Sequence, residues 1–236
     1  MRLADGTAGG ETMTQFSMWR VVLCSALVLL GGWAVPHDAS ALEFQLVNEF
    51  SGGADPAGTP TVTFTNDGAN QVELTIDANL VGTEFLDDLA FNLDPNLNPA
   101  NLVFTFDDPA SDGPAAETIT KGVDIFKADG DGKYDIRMTF DNSPPSVRFD
   151  GSDTVVYTIT CPSCDPGTLT ENSFNFLSTP DGGHGPFHVA AHIQGIGDDG
   201  DGSGWVSEVP EPGTLALLGS GLVSAGWAMR WRRRIG

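Results

Sequence analysis

Apolar and polar residues alternate with period two along most of the middle of this chain. Val62 and Phe64 alternate with threonines, Val72, Leu74 and Ile76 with Glu73 and Thr75, and Leu102, Phe104 and Phe106 continue the pattern. It returns at Tyr134, Ile136, Met138 and Phe140, at Val155, Tyr157 and Ile159, and at Phe187, Val189, Ala191 and Ile193. Successive side chains of an extended strand point to opposite faces, so each run offers one face to a core and the other to water. Turn-forming clusters separate the runs: SGGADPAGTP, NDGAN, DPNLNP, DDPASDGP, DGDG, DNSPPS, CPSCDPG and TPDGGHGP. No stretch keeps apolar residues at helical spacing for three turns. The pattern predicts an all-β domain of roughly nine to eleven short strands, an antiparallel two-sheet β-sandwich of jelly-roll type.

Both ends depart from that pattern. An apolar run at 21–33, preceded by Arg20, leads to Ala39-Ser40-Ala41, the small-x-small arrangement that signal peptidase cuts. Residues 1–41 therefore read as a signal peptide with Ala39 and Ala41 as its cleavage-site residues and Leu42 as the mature N-terminus; an uncut anchor is the alternative. At the other end, residues 213–229 are uncharged and mostly apolar, and Arg230, Arg232, Arg233 and Arg234 follow. As a helix this stretch would span roughly 25 Å, close to the hydrocarbon thickness of a bilayer. The arginines would stay cytoplasmic, with the preceding domain outside. A plain C-terminal anchor is the simplest reading.

Val209, Pro210, Glu211 and Pro212, followed by a short glycine-containing apolar stretch and a terminal arginine cluster, resemble the PEP-CTERM sorting signal. The resemblance covers only residues 209–236. It implies processing by a membrane enzyme, exosortase, and a Gram-negative host that makes extracellular polysaccharide. It implies an address for the protein and no chemistry. The expected route is export, a membrane-anchored intermediate, and then the cell surface or extracellular matrix.

Between the two signals, residues 42–207 hold 27 acids and five basic residues, a net of −22, and all five cations lie between Lys121 and Arg148. This balance excludes grip on nucleic acid, which depends on Lys and Arg displacing counterions from phosphates. Residues 42–196 form the expected domain, and the acidic, glycine-rich stretch 197–208, with its own DGDG at 199–202, reads as a linker.

Three groups of side chains have the spacing of sites. Asp129, Asp131 and Asp135 in KADGDGKYD fall at positions three, five and nine of an EF-hand-like or dockerin-like calcium loop, with Gly132 at the bend. Lys127 and Met138 stand where two further ligands belong, and Asp124 would substitute only through the fold. Calcium is the cofactor that such a loop would take; a hairpin turned by Asp-Gly is the alternative. Cys161 and Cys164 follow a predicted strand, and Asp165-Pro166-Gly167 gives no helix start to activate a thiol, so an exported chain is expected to join them in a disulfide. His184, His188 and His192 recur every fourth residue. On a strand, four residues cover about 13 Å, too far for three ligands on one ion, so they read as structural or surface histidines.

No Gly-x-Ser-x-Gly, His-Glu-x-x-His or phosphate-binding glycine loop is present in the sequence. The expected role is therefore non-enzymatic, structural or adhesive in the envelope or exopolysaccharide matrix. The partners are signal peptidase, exosortase, the membrane and extracellular polysaccharide. A carbohydrate-binding module, assisted by calcium, is the first alternative. It is weakened because residues 42–207 hold one tryptophan, Trp205 near the linker, and two tyrosines, Tyr134 and Tyr157, which lie in core register. A polysaccharide hydrolase working through paired carboxylates is the second.

Overall fold

The computed structural model describes residues 40–129 and 131–209. These contain eleven strands: β1 (Ala41–Ser51), β2 (Thr61–Asn66), β3 (Gln71–Asp77), β4 (Phe85–Phe91), β5 (Val103–Phe106), β6 (Thr118–Ala128), β7 (Asp131–Thr139), β8 (Phe149–Asp150), β9 (Thr154–Thr160), β10 (Val189–Ile196) and β11 (Gly202–Glu208). The only helical segments among the described residues are short 3-10 turns, such as Pro99–Asn101 and Glu171–Phe174. Among the described residues no helix is long and apolar enough to cross a membrane.

Every pairing between strands is antiparallel. The strand order is β5-β9-β3-β2-β1-β11-β10-β4-β7-β6, with β8 beside β4. The all-β antiparallel class expected from the alternation is the class observed. The ladder runs continuously because β1 serves both flanks: residues 41–45 pair with β2, and residues 46–51 pair with β11. Register breaks between Leu46 and Asn48 and between Glu49 and Ser51 mark where β1 bends. An extra residue kinks a strand and increases its twist, which lets the sheet curl over its own inner face. The result is barrel-like. Its terminal strands β5 and β6 approach without a ladder; the Lys121 ammonium donates to the carbonyl of Leu102, just before β5.

The inner face carries the core. Phe64 stacks on Phe174 with ring centroids 4.3 Å apart, and Phe91 meets both edge-on at 5.4 and 5.9 Å. Val72, Leu74 and Ile76 of β3 and Val155, Tyr157 and Ile159 of β9 fill the space beside them. A second, smaller cluster of Phe50, Ala90, Tyr134, Phe187 and Ala190 lies apart from the first. Tyr134 and Phe187 leave the main core here, although their alternation continues that of Ile136 and Val189.

Two expectations need correction or completion. The second half of the expected 197–208 linker is β11, a strand paired on both sides. Its glycines are there for close packing: a Cβ on Gly204 would lie 2.4 Å from the Ala54 carbonyl oxygen, and one on Gly202 2.7 Å from that of Ile196. Strand β4, FLDDLAF, shows no clean alternation because its pairing with β10 slips opposite His192 and Ile193. The expected signal peptide, including Ala39, and the anchor from Pro210 onward lie outside the described residues; Ala41 is the first residue of β1.

Candidate functional site

The C-terminal end of β11 is built as a closed joint. Glu208 is the last residue of that strand, and its side chain turns back onto the start of β10. Its Oε1 accepts the His188 backbone N–H at 2.7 Å and lies 2.9 Å from His188 Nδ1, while Oε2 accepts the Val189 N–H at 3.2 Å. The carboxylate is nearly buried, and three partners compensate it. The His188 ring in turn stacks on Phe44 at 5.1 Å, which ties the joint to the main core.

Beside this joint a groove of about 1130 Å³ opens between β1, the segment at 175–177 and the chain at 185–188. The strap that forms its far wall is held by backbone pairs between Lys133 and Thr179 and between Ser178 and Phe187. The exposed apolar side chains Val47, Leu177 and Val209 stand around the opening at 53%, 52% and 54% exposure. Glu43, Gln45 and Asn175 supply its polar lining, together with the joined His188 and Glu208.

A second polar cluster lies where β4, β7 and β10 meet. Asp87, Asp88 and His192 bring ligand atoms within 4.8 Å of one another, as a divalent cation would need. The cluster is already satisfied from within. Arg137 grips Asp88 through both Nε, at 2.8 Å, and Nη2, and Thr139 donates to Asp88 Oδ1 at 2.8 Å. Asp87 Oδ2 takes Gln194 at 2.7 Å and faces His192 Nδ1 at 3.2 Å. Burial alone would raise the Asp87 carboxyl, but the hydrogen bonds from His192, Gln194 and Asn142 and the charge of His192 outweigh it and hold it below its ordinary value. A cation entering here would compete with Arg137 and Thr139 for the Asp88 carboxylate. Trp205 covers the His192 ring at 5.0 Å in a stacked pair.

The calcium-loop residues lie at and beyond the β6–β7 turn. Asp129 sits in the β6–β7 turn with φ +46° and accepts the Ser51 hydroxyl. Asp131 opens β7, paired with Ala128, and Asp135 lies four residues further along the strand. The Asp135 carboxylate is buried and engaged elsewhere, accepting the N–H of Leu93 at 3.0 Å and of Asp124 at 2.8 Å. Asp124 is therefore tied to Asp135 through its backbone. The backbone here is that of the hairpin, with β6 and β7 paired antiparallel and Ala128 opposite Asp131. Burial raises the Asp135 carboxyl, and the nearby Asp124 charge adds to that, against the two N–H donors.

Cys161 and Cys164 are bonded, with Cα atoms 5.4 Å apart. The three histidines separate as their spacing on a strand requires: His184 meets Phe50, His188 joins Glu208 and His192 joins Asp87. All five basic residues of the domain have local partners. Lys127 and Lys133 meet Asp181, Arg137 meets Asp88, Lys121 meets Leu102, and Arg148 lies 4.1 Å over the Phe85 ring.

Sequence reasoning missed the Asp87, Asp88 and Arg137 cluster and the role of Glu208. The visible signal was an acidic pair inside an otherwise apolar strand, which burial forces to find partners.

The joint at Glu208 is also where a recognisable segment begins. The family model of the PEP-CTERM protein-sorting motif matches residues 208–234. The chain carries a PEP-CTERM sorting motif. That motif implies export and membrane-anchored sorting in bacteria, with processing by an exosortase. The match takes in Pro210, Glu211, Pro212 and the arginines Arg230, Arg232, Arg233 and Arg234, which lie outside the described residues. The family of the β-domain is not identified by it. No curated protein and no solved structure matches the chain.

Proposed function

We propose that this is a non-enzymatic surface protein, structural or adhesive in the envelope or exopolysaccharide matrix of a Gram-negative bacterium. In this reading signal peptidase removes residues 1–41, the apolar stretch 213–229 holds a membrane intermediate, and exosortase processes the tail. The observation that carries it is the PEP-CTERM match at 208–234, which starts on the last residue of β11. A sorting label attached to a central strand delivers a folded β-domain whose charge of −22 keeps it soluble outside the cell.

The rival readings draw less support. A stacking lectin needs a free flat aromatic; Trp205, the sole tryptophan among the described residues, has one face against His192. A hydrolase needs a working carboxylate pair, and the clustered Asp87 and Asp88 are engaged by His192, Gln194, Arg137 and Thr139.

Deleting residues 209–236 tests the sorting reading. The truncated chain should leave the membrane fraction and collect in the medium. Fractionation identical to the full chain would end the proposal. Calorimetric titration of the full chain with matrix polysaccharide, with and without calcium, separates the structural role from saccharide recognition: saturable heat at a defined stoichiometry would favour the binding module.

A further inference from the structure

We propose that the groove beside Glu208 is a docking surface for the exosortase that processes the tail, so that the enzyme reads the folded domain as well as the motif. This rests on the sorting reading above and adds a recognition surface to it.

The groove and the motif share residues. Glu208 and Val209 line the groove and are also the first two residues of the matched segment. An enzyme that engages Pro210, Glu211 and Pro212 works within about 10 Å of Val209, the reach of three extended residues. It therefore stands at the groove mouth.

The domain cannot yield more chain to it. Strand β11 is paired with β1 on one side and β10 on the other, and the Glu208 carboxylate fastens its end to His188 and Val189. Drawing out even two residues would break ladder bonds on both flanks and leave a nearly buried carboxylate without partners. The enzyme has to come to the domain.

The surface it meets is suited to a protein. Isolated exposed apolar side chains are ordinary, but Val47, Leu177 and Val209 converge on one opening at more than half exposure each. Among the described residues the lining carries the acids Glu43 and Glu208 and no lysine or arginine. The complementary enzyme surface is apolar at its centre and neutral or basic at its rim. An anionic bilayer is a poorer occupant, because the domain carries −22.

The test follows processing of the full chain by pulse–chase in bacteria with and without the exosortase. Val47→Asp and Leu177→Asp alter exposed side chains and should leave the melting temperature unchanged. Each should slow processing about tenfold or more, as loss of a central interface contact does. Val123→Asp and Ile125→Asp on β6, at 62% and 60% exposure, serve as controls and should be processed like the wild type. Wild-type rates in the groove variants would overturn the docking surface while leaving the sorting reading intact, and so would equal slowing in the controls. A wild-type chain left unprocessed despite the enzyme would overturn the sorting reading and the docking surface with it. If the full chain in detergent sediments as a dimer that Val47→Asp dissociates, the groove is a contact between copies and the proposal falls.

Discussion

Arg137 and Asp88 form a two-pronged ion pair across β7 and β4, with Nε 2.8 Å from Oδ1 and Nη2 on Oδ2. Asp88 is almost fully buried, whereas Arg137 is 38% exposed. The arginine lets an acidic residue occupy the middle of a core-forming strand. We expect Arg137→Ala to cost about 2–3 kcal/mol, between the value of a surface pair and the roughly 3–5 kcal/mol of a fully buried one, because one partner is partly solvated. Urea unfolding measures it, and a loss below 1 kcal/mol, about the value of a surface pair, would show that the pair is decorative.

The turn between β2 and β3 reaches across to the disulfide loop. Asn70, at φ +57°, donates from Nδ2 to the carbonyls of Cys164 and Asp165 and accepts at Oδ1 from the N–H groups of Thr168 and Leu169. Closing so short a loop by the disulfide contributes about 2 kcal/mol or less. Four hydrogen bonds plus a backbone that disfavours a Cβ-branched or alanine replacement make Asn70→Ala the larger loss, about 2–4 kcal/mol. Unfolding of wild type with reductant and of Asn70→Ala without it should give that order; the reverse order would make the covalent bond the main restraint.

Asp135 and Asp87 pull the response to pH in opposite directions. Burial and the Asp124 charge raise Asp135, so its contribution is fully present below the ordinary carboxylate value and is lost as pH rises through the raised one. Asp87 is lowered, since its hydrogen bonds outweigh burial, so its contribution is present above the ordinary value and lost as pH falls through the lowered one. From about pH 4 upward, the melting advantage of wild type over Asp135→Asn should shrink. Below about pH 4, the advantage over Asp87→Asn should shrink instead. Parallel melting curves for wild type and both variants would contradict the assignment.

Calcium should leave the melting temperature of the chain unchanged, and so should EDTA. The Asp135 carboxylate already accepts the N–H groups of Leu93 and Asp124, so a calcium ion drawing on it would compete with both. A rise of several degrees that grows with calcium concentration would reveal a bound state and reverse this expectation.

Period-two alternation in segments such as Val72, Leu74 and Ile76 was enough to specify strands and a buried face, because a strand has only two sides and the core takes one. The sorting address was legible for a different reason: Pro210, Glu211, Pro212 and the terminal arginines are read as a linear segment, without a fold. Tertiary structure alone decided the rest. Gly202 and Gly204 look like linker residues until Ile196 and Ala54 are seen pressing against their backbones. Asp135 has the spacing of a ligand until two distant N–H groups are found to occupy it, and Asp87, Asp88, Arg137 and His192 become neighbours only through the β4–β7 and β4–β10 pairings. Local pattern determines which face of a strand is buried, whereas the partner of each buried polar group depends on contacts between residues far apart in the chain.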